Sequence, residues 1–192
     1  MRFFIPVILF LTMLVGCGSG FNSEELQLIR EHRGGLMPVM SISNPSDSLL
    51  LRTPSQRVSR KMALSEEFVL LKKSMLTTVK DPANDGVGIA APQVGVLRRV
   101  VAVQRFDKPN EEFEIFLNPE IVSRSAEQKF GGEGCLSVPD LSGNVERSEW
   151  IVLRYRDEEY HLREDTIKGF TAVIFQHEVD HLDGRLFIDY LK

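Results

Sequence analysis

The chain is predicted to fold as a mixed α+β domain. Two observations carry that expectation. A helical pattern near Ser65 and another near the C-terminus bracket a middle region rich in β-branched and alternating stretches. The chain has 192 residues, enough for one compact domain once the N-terminus is set aside. A hydrophobic fraction of 43% fits a soluble globular protein, and a net charge of −4 gives no basic footprint for nucleic acid.

The N-terminus carries one positive charge, Arg2, ahead of an apolar run from Phe3 to Val15. That run is shorter than the ~20 residues a membrane helix needs, and it is read as a secretory signal peptide. Leu14-Val15-Gly16-Cys17 resembles the bacterial lipobox, whose cysteine is acylated. On this reading residues 1–16 are the signal and Cys17 carries lipid. Residues 17–48 form a Ser-, Gly- and Asn-rich tether with a short amphipathic piece at Glu24–His32, and residues 49–192 form the single folded domain. The expected location is the extracytoplasmic face of a membrane. A start at Met37 or Met40 would instead give a shorter cytoplasmic protein.

Leu49-Leu50-Leu51-Arg52-Thr53-Pro54 reads as an edge segment broken by its proline. Ser65 opens a helix whose first turn holds Glu66 and Glu67, with Phe68, Leu71, Leu76 and Val79 in helical rhythm. The helix stops near Lys80, because Asp81 to Gly86 is turn chemistry. Gly86, Gly88 and Ala91 match G-x-G-x-x-A, but they follow a helix and meet Pro92, which excludes a dinucleotide-binding turn. These glycines are read as letting backbone approach a ligand closely. Arg99–Gln104, Phe113–Leu117 (ended by Asn118-Pro119) and Ile121–Ser123 read as strands. Trp150–Tyr155 pairs as a hairpin with Tyr160–Leu162 across Arg156 to Glu159.

The chemistry concentrates in Gln176-His177-Glu178-Val179-Asp180-His181. Phe170, Val173, Ile174 and His177 fall at i, i+3, i+4 and i+7, Asp165 or Thr166 suits the helix start, and Gly184 suits its end. His177 and His181 then lie on one helical face and can grip one metal ion, with Glu178 projecting beside them. Such a site needs a third protein ligand. Phe187 stands where one protease family places a third histidine, and Asp183 and Asp189 read as a surface residue and part of a terminal strand. The missing ligand is therefore upstream. Cys135, lying between glycines and Pro139, is the better candidate; His161 sits in a charged hairpin and is the weaker one.

Three stretches together resemble the motifs of the peptide deformylases, in order: Gly86-Val87-Gly88-Ile89-Ala90-Ala91-Pro92-Gln93, Glu133-Gly134-Cys135-Leu136-Ser137 and Gln176 to His181. The similarity spans roughly Leu49 to Leu191. It implies antiparallel sheets packed around the C-terminal helix that carries the two histidines. It also implies Cys135, His177 and His181 as metal ligands, Fe(II) being usual in the family and zinc, nickel or cobalt possible in the same site. Glu178 becomes the general acid/base, with Gln93 and the Leu136 N–H as oxyanion donors. Val87 and Gly88 would line the channel for an N-formylmethionyl peptide, with Val173 and Ile174 walling the methionine pocket. The expected molecule is a monomer. Two alternatives are a lipid-anchored metallopeptidase and a peptide-binding protein without turnover. One departure stands out: Ser142 occupies a position where many family members carry arginine, whereas Arg147 matches a family position and is expected to pair with Glu133.

Overall fold

A computed structural model describes residues 20–191. Cys17 and the expected signal peptide lie outside the described residues. Five strands form an antiparallel sheet: β1 (Gly88–Ala90), β2 (Val100–Gln104), β3 (Phe113–Arg124), β6 (Trp150–Arg156) and β7 (Leu162–Lys168), neighbours in that order. The strands β4 (Gln128–Cys135) and β5 (Val138–Ser148) form a separate hairpin. Helices α1 (Ser23–His32), α2 (Pro45–Leu51), α3 (Arg60–Ala63) and α4 (Glu66–Val79) precede the sheet, and α5 (Gly169–Leu182) follows it.

Both faces of the sheet are covered, so β2 reads as an unbroken apolar run rather than an alternation. Its residues still divide by parity. Val100 and Ala102 join Phe68, Leu71, Met75 and Val79 of α4 in one core cluster. Val101 and Val103 join Ala172, Ile174, Phe175, Val179 and Leu182 of α5 in the other. The Phe116 and Phe175 rings meet edge-on at 4.7 Å, fixing α5 against the sheet. Ser65 caps α4 through Phe68 N–H, where the residue pattern places the start.

Several expectations are corrected. Leu49–Pro54 does not form an edge strand: Leu49, Leu50 and Leu51 end α2, which Asn44 caps by accepting from Ser46 N–H at 2.9 Å with Pro45 in the first turn. The expected tether is no tether from Gly20 onward. Asn22 and Glu25 form a reciprocal capping box on α1, Ile29 is fully buried, and Met37 donates its N–H to Thr78 Oγ1 at 2.9 Å.

Phe113–Leu117 does not end at Asn118-Pro119. The strand passes through Asn118 at φ 52 with a shift of register and absorbs Ile121–Ser123. Asn118 tolerates that conformation because its side chain turns inward, accepting from Val58 N–H at 2.7 Å and donating to Val58 C=O at 2.8 Å. Asp165 and Thr166 do not start the late helix. They continue β7, paired with Leu153 and Val152, and Gly169 at φ 64 makes the break into α5. The hairpin turn is accordingly later than expected: Asp157 Oδ1 accepts from His161 N–H, and the return strand begins at Leu162. The β4–β5 hairpin escaped the pattern because its burial is irregular and its first strand carries three glycines. Asp189 lies in a short 3-10 turn, Phe187–Tyr190, rather than in a strand.

Asn118→Ala is expected to cost about 2–4 kcal/mol, combining a buried Val58 N–H left unpaired with a left-handed alanine. A denaturant midpoint shifted by less than 1 kcal/mol equivalent would refute the inward staple.

Candidate metal and active site

Two elements bring the chemistry together. On α5, His177 and His181 stand one turn apart with ring centroids 5.0 Å apart. From the hairpin, Cys135 closes the set: the register breaks between Gly134 and Cys135, which releases Cys135 from regular pairing at the end of β4. Its Sγ lies 3.2 Å from His181 Nε2, and the donor atoms of Cys135, His177 and His181 all fall within 4.8 Å of one another. His181 is 1% exposed. One cysteine sulfur and two imidazoles at this spacing would suit a divalent transition metal, which would supply Lewis acidity there.

The ring of His177 is oriented from behind. Its Nδ1 meets Glu133 Oε2 at 2.8 Å, which leaves Nε2 for the donor set. Glu133 is gripped by Arg147 at both oxygens, Nε to Oε1 at 2.7 Å and Nη2 to Oε2 at 3.0 Å. Arg147 Nη1 also reaches Asp180 Oδ2 at 2.5 Å, and Tyr190 donates its hydroxyl to Asp180 Oδ1 at 3.0 Å. The expected Arg147–Glu133 pair is thus present, and it is one link in a buried chain from Tyr190 to His177.

The charges follow from this packing. Burial opposes ionisation of Glu133, but hydrogen bonds from His177 and Arg147 win and hold its pKa at about 2. Burial would likewise keep His177 neutral, yet the Cys135 sulfur and the Glu133 carboxylate raise it to about 10. His181 is held well below its ordinary range by burial, by His177 and by Arg147, so its lone pair stays available.

Beside the donors runs a cleft of ≈ 360 Å³. Val87, Gly88, Leu136, Val173 and Ile174, all singled out in the sequence, line it together with Gln93, Cys135, His177 and Glu178. Glu178 is 3% exposed, its Oε2 has no hydrogen-bond partner, and burial pushes its pKa up to about 7 against the pull of His177. Gly88 is required by close approach: a Cβ there would sit 2.5 Å from Glu178 Oε1 and 2.8 Å from Ile174 Cγ2. Gln93, at 2% exposure, is set by its own backbone: Oε1 accepts from Ala90 N–H at 2.8 Å, turning Nε2 toward Cys135 Sγ at 3.6 Å and Ser137 Oγ at 3.3 Å.

Phe170 and Ser137 are among the residues unassigned to the site in the sequence. Phe170 lines the cleft mouth, one turn before Val173 and Ile174, and its periodicity pointed only to a helix face. Ser137, fully buried, holds the Gln93 amide, and nothing in its spacing signals that. Ser142 lies on a shallower extension of the cleft with Pro139, Asp140 and Leu141. His161 is not brought to the site; it stays in an exposed turn with Asp157 and Glu159. Asp183 and Asp189 are engaged by Arg99 and Arg52.

Comparison with known proteins agrees with this architecture. The family model "Polypeptide deformylase" matches residues 37–192. A peptide deformylase of Leptospira biflexa is 40% identical over 162 residues, covering 80% of this chain and 87% of that protein. One from Xylella fastidiosa is 41% identical over 157 residues, covering 82% and 88%. Among solved structures, the Met-Ala-Ser-bound class I type b peptide deformylase of Acinetobacter baumannii superposes with a TM-score of 0.73 at 35% identity, covering 82% of this chain and 99% of that one. A Plasmodium falciparum peptide deformylase in complex with an inhibitor gives 0.69 at 30% identity, covering 80% and 88%. A Cys-His-His donor set beside a peptide-sized cleft, on a chain matched over this length, has one consistent reading: the chain belongs to the peptide deformylase family, and it is a metal-dependent deformylase.

Proposed function

We propose that the chain removes the formyl group from N-formylmethionyl peptides, with Cys135, His177 and His181 holding one divalent ion, Fe(II) by family resemblance. The observation that carries the reading is a buried, unpartnered Glu178 oxygen facing the cleft beside one sulfur and two imidazole donors that converge. An ion in that set supplies Lewis acidity and lowers the pKa of water toward neutrality. The chain's own residues do the rest. Glu178, buried beside the donors, takes the proton from the attacking water and returns it to the departing amine as the C–N bond breaks, releasing formate. Gln93 Nε2 and the Leu136 N–H donate to the oxygen of the formyl group as it gains negative charge. Phe170, Val173 and Ile174 receive the methionine side chain, and backbone beside Val87 and Gly88 accepts the peptide as an added strand. A peptide, Met-Ala-Ser, occupies the related Acinetobacter baumannii structure.

We further propose that the protein is a lipid-anchored monomer outside the cytoplasm, acylated at Cys17. The charge, apolar run and cysteine in export order support this. The burial of Met37, 2% exposed, bears only on the alternative start there, which would put a terminal ammonium in a buried position against Thr78 Oγ1.

Metal-loaded protein is expected to release formate from formyl-Met-Ala-Ser. Glu178→Gln should lower kcat/KM by ~10²–10⁴-fold with metal content unchanged; free amino acids without formate would show a peptidase instead. Glu178 also sets a pH signature in metal-free protein. Its proton is held more tightly in the fold than in the unfolded chain, so its contribution to stability declines as pH rises from 4.5 to about 7. Glu178→Gln should therefore melt higher than wild type at pH 8, by an amount worth roughly 3 kcal/mol, and the gap should close near pH 4.5. Equal melting temperatures at pH 8 would contradict a buried, raised carboxyl. Mass spectrometry of the protein from native membranes should find diacylglycerol on Cys17, and an unmodified N-terminus at Met37 or Met40 would sink the anchor.

A further inference from the structure

Helix α1 lies ahead of Met37, where the family match begins, yet a buried ion pair fastens it into the fold. Arg98, 4% exposed, pairs with Glu25, 3% exposed, through Nε to Oε1 at 3.0 Å and Nη2 to Oε2 at 2.7 Å. The same guanidinium donates to Gly20 C=O at 3.0 Å. A buried ion pair of this kind holds only when geometry and hydrogen bonds are complete, so the register of α1 on the domain is fixed.

What α1 and the segment after it touch is the turn that carries Gln93. That turn, Ala91–Val94, ends at Gly95 with φ 81, and Leu28 presses on it: a Cβ on Gly95 would lie 2.8 Å from Leu28 Cδ2. Further along, Met40 N–H donates to Gln93 C=O at 2.8 Å. Two residues on, Ile42 N–H donates to Ser137 C=O at 2.9 Å, and Ser137 Oγ accepts from the Gln93 amide. One continuous segment therefore grips the Gln93 turn at its end, its backbone and its side-chain partner.

We propose that the N-terminal segment from α1 to Ile42 is a brace that positions the Gln93 amide over the reacting centre, with Leu28 as its positioning residue. The proposal rests on Gln93 acting as an oxyanion donor. Its physical basis is the steep dependence of transition-state stabilisation on donor placement, where a displacement of about 1 Å can cost ~10²-fold. Removing the Leu28 side chain loosens one of three grips rather than all of them.

The test uses the full chain. Leu28→Ala is expected to lower kcat roughly tenfold with KM within about twofold and metal content unchanged, consistent with a partial loss of placement. Amide hydrogen exchange at Gly95 and Val96 should quicken by about the same factor, while β2 and β3 keep their protection. Leu28→Met should restore both. Leu76→Ala, which trims a half-buried contact on the same core cluster from α4, controls for stability and should leave kcat unchanged at a comparable fall in melting temperature. Unaltered exchange at Gly95 and Val96 in Leu28→Ala overturns the brace, as does quickened exchange with full kcat. Should wild-type chain release no formate from formyl-Met-Ala-Ser, the deformylase reading falls. The exchange result then decides by itself whether the turn is braced.

Discussion

A single buried guanidinium sets the geometry on which this site depends. Arg147 belongs to β5, Glu133 to β4 and Asp180 to α5, and without that cation two carboxylates would face each other in a desolvated gap. Its bidentate hold on Glu133 fixes the carboxylate that in turn fixes the His177 ring, while its third bond ties the hairpin to the helix. The sulfur of Cys135 and the imidazoles of α5 come from elements with no shared backbone pairing, so side-chain bonds join them: this bridge, and the two bonds between the Gln176 amide and the Ser148 backbone. The bridge therefore governs donor geometry without touching the donors' reactive atoms.

Close approach is the second constraint. The cleft brings backbone at Gly88 against the Glu178 carboxyl, and that proximity keeps the carboxyl dry. Dryness raises its pKa to about 7, which suits the proton-accepting and proton-returning role proposed for it. Here packing and chemistry are one effect.

Much of this was legible from residue spacing and some was not. The i, i+4 histidines and the intervening glutamate announce a shared helical face because α-helical geometry leaves little else for them to do. Cys135 was harder: it stood out through its glycine neighbours and the motif resemblance, since nothing local says where a hairpin end will point. The helical start at Asp165 or Thr166 was misplaced because a polar residue ahead of an apolar periodic run looks like a cap, whereas sheet pairing with Leu153 and Val152 claimed both positions. Leu49–Leu51 shows the reverse error, where the Asn44-Pro45 start outweighed a run that looked extended. The longest miss, the expected tether, followed from composition: Ser-, Gly- and Asn-rich sequence looks unstructured until the partners of Glu25 and Met37, some 40 to 70 residues away, are known.

The order of elements along the chain has a consequence for synthesis. Strands β1 to β7 all emerge before α5, and the hydroxyl that completes the Asp180–Arg147–Glu133 chain belongs to Tyr190. A chain leaving the ribosome, or threaded N-terminus first through an export channel, presents the Cys135 thiol before either imidazole has followed. Until then the thiol lacks the two nitrogens that would share a cation with it, so in the proposed metal site loading follows the docking of the last helix.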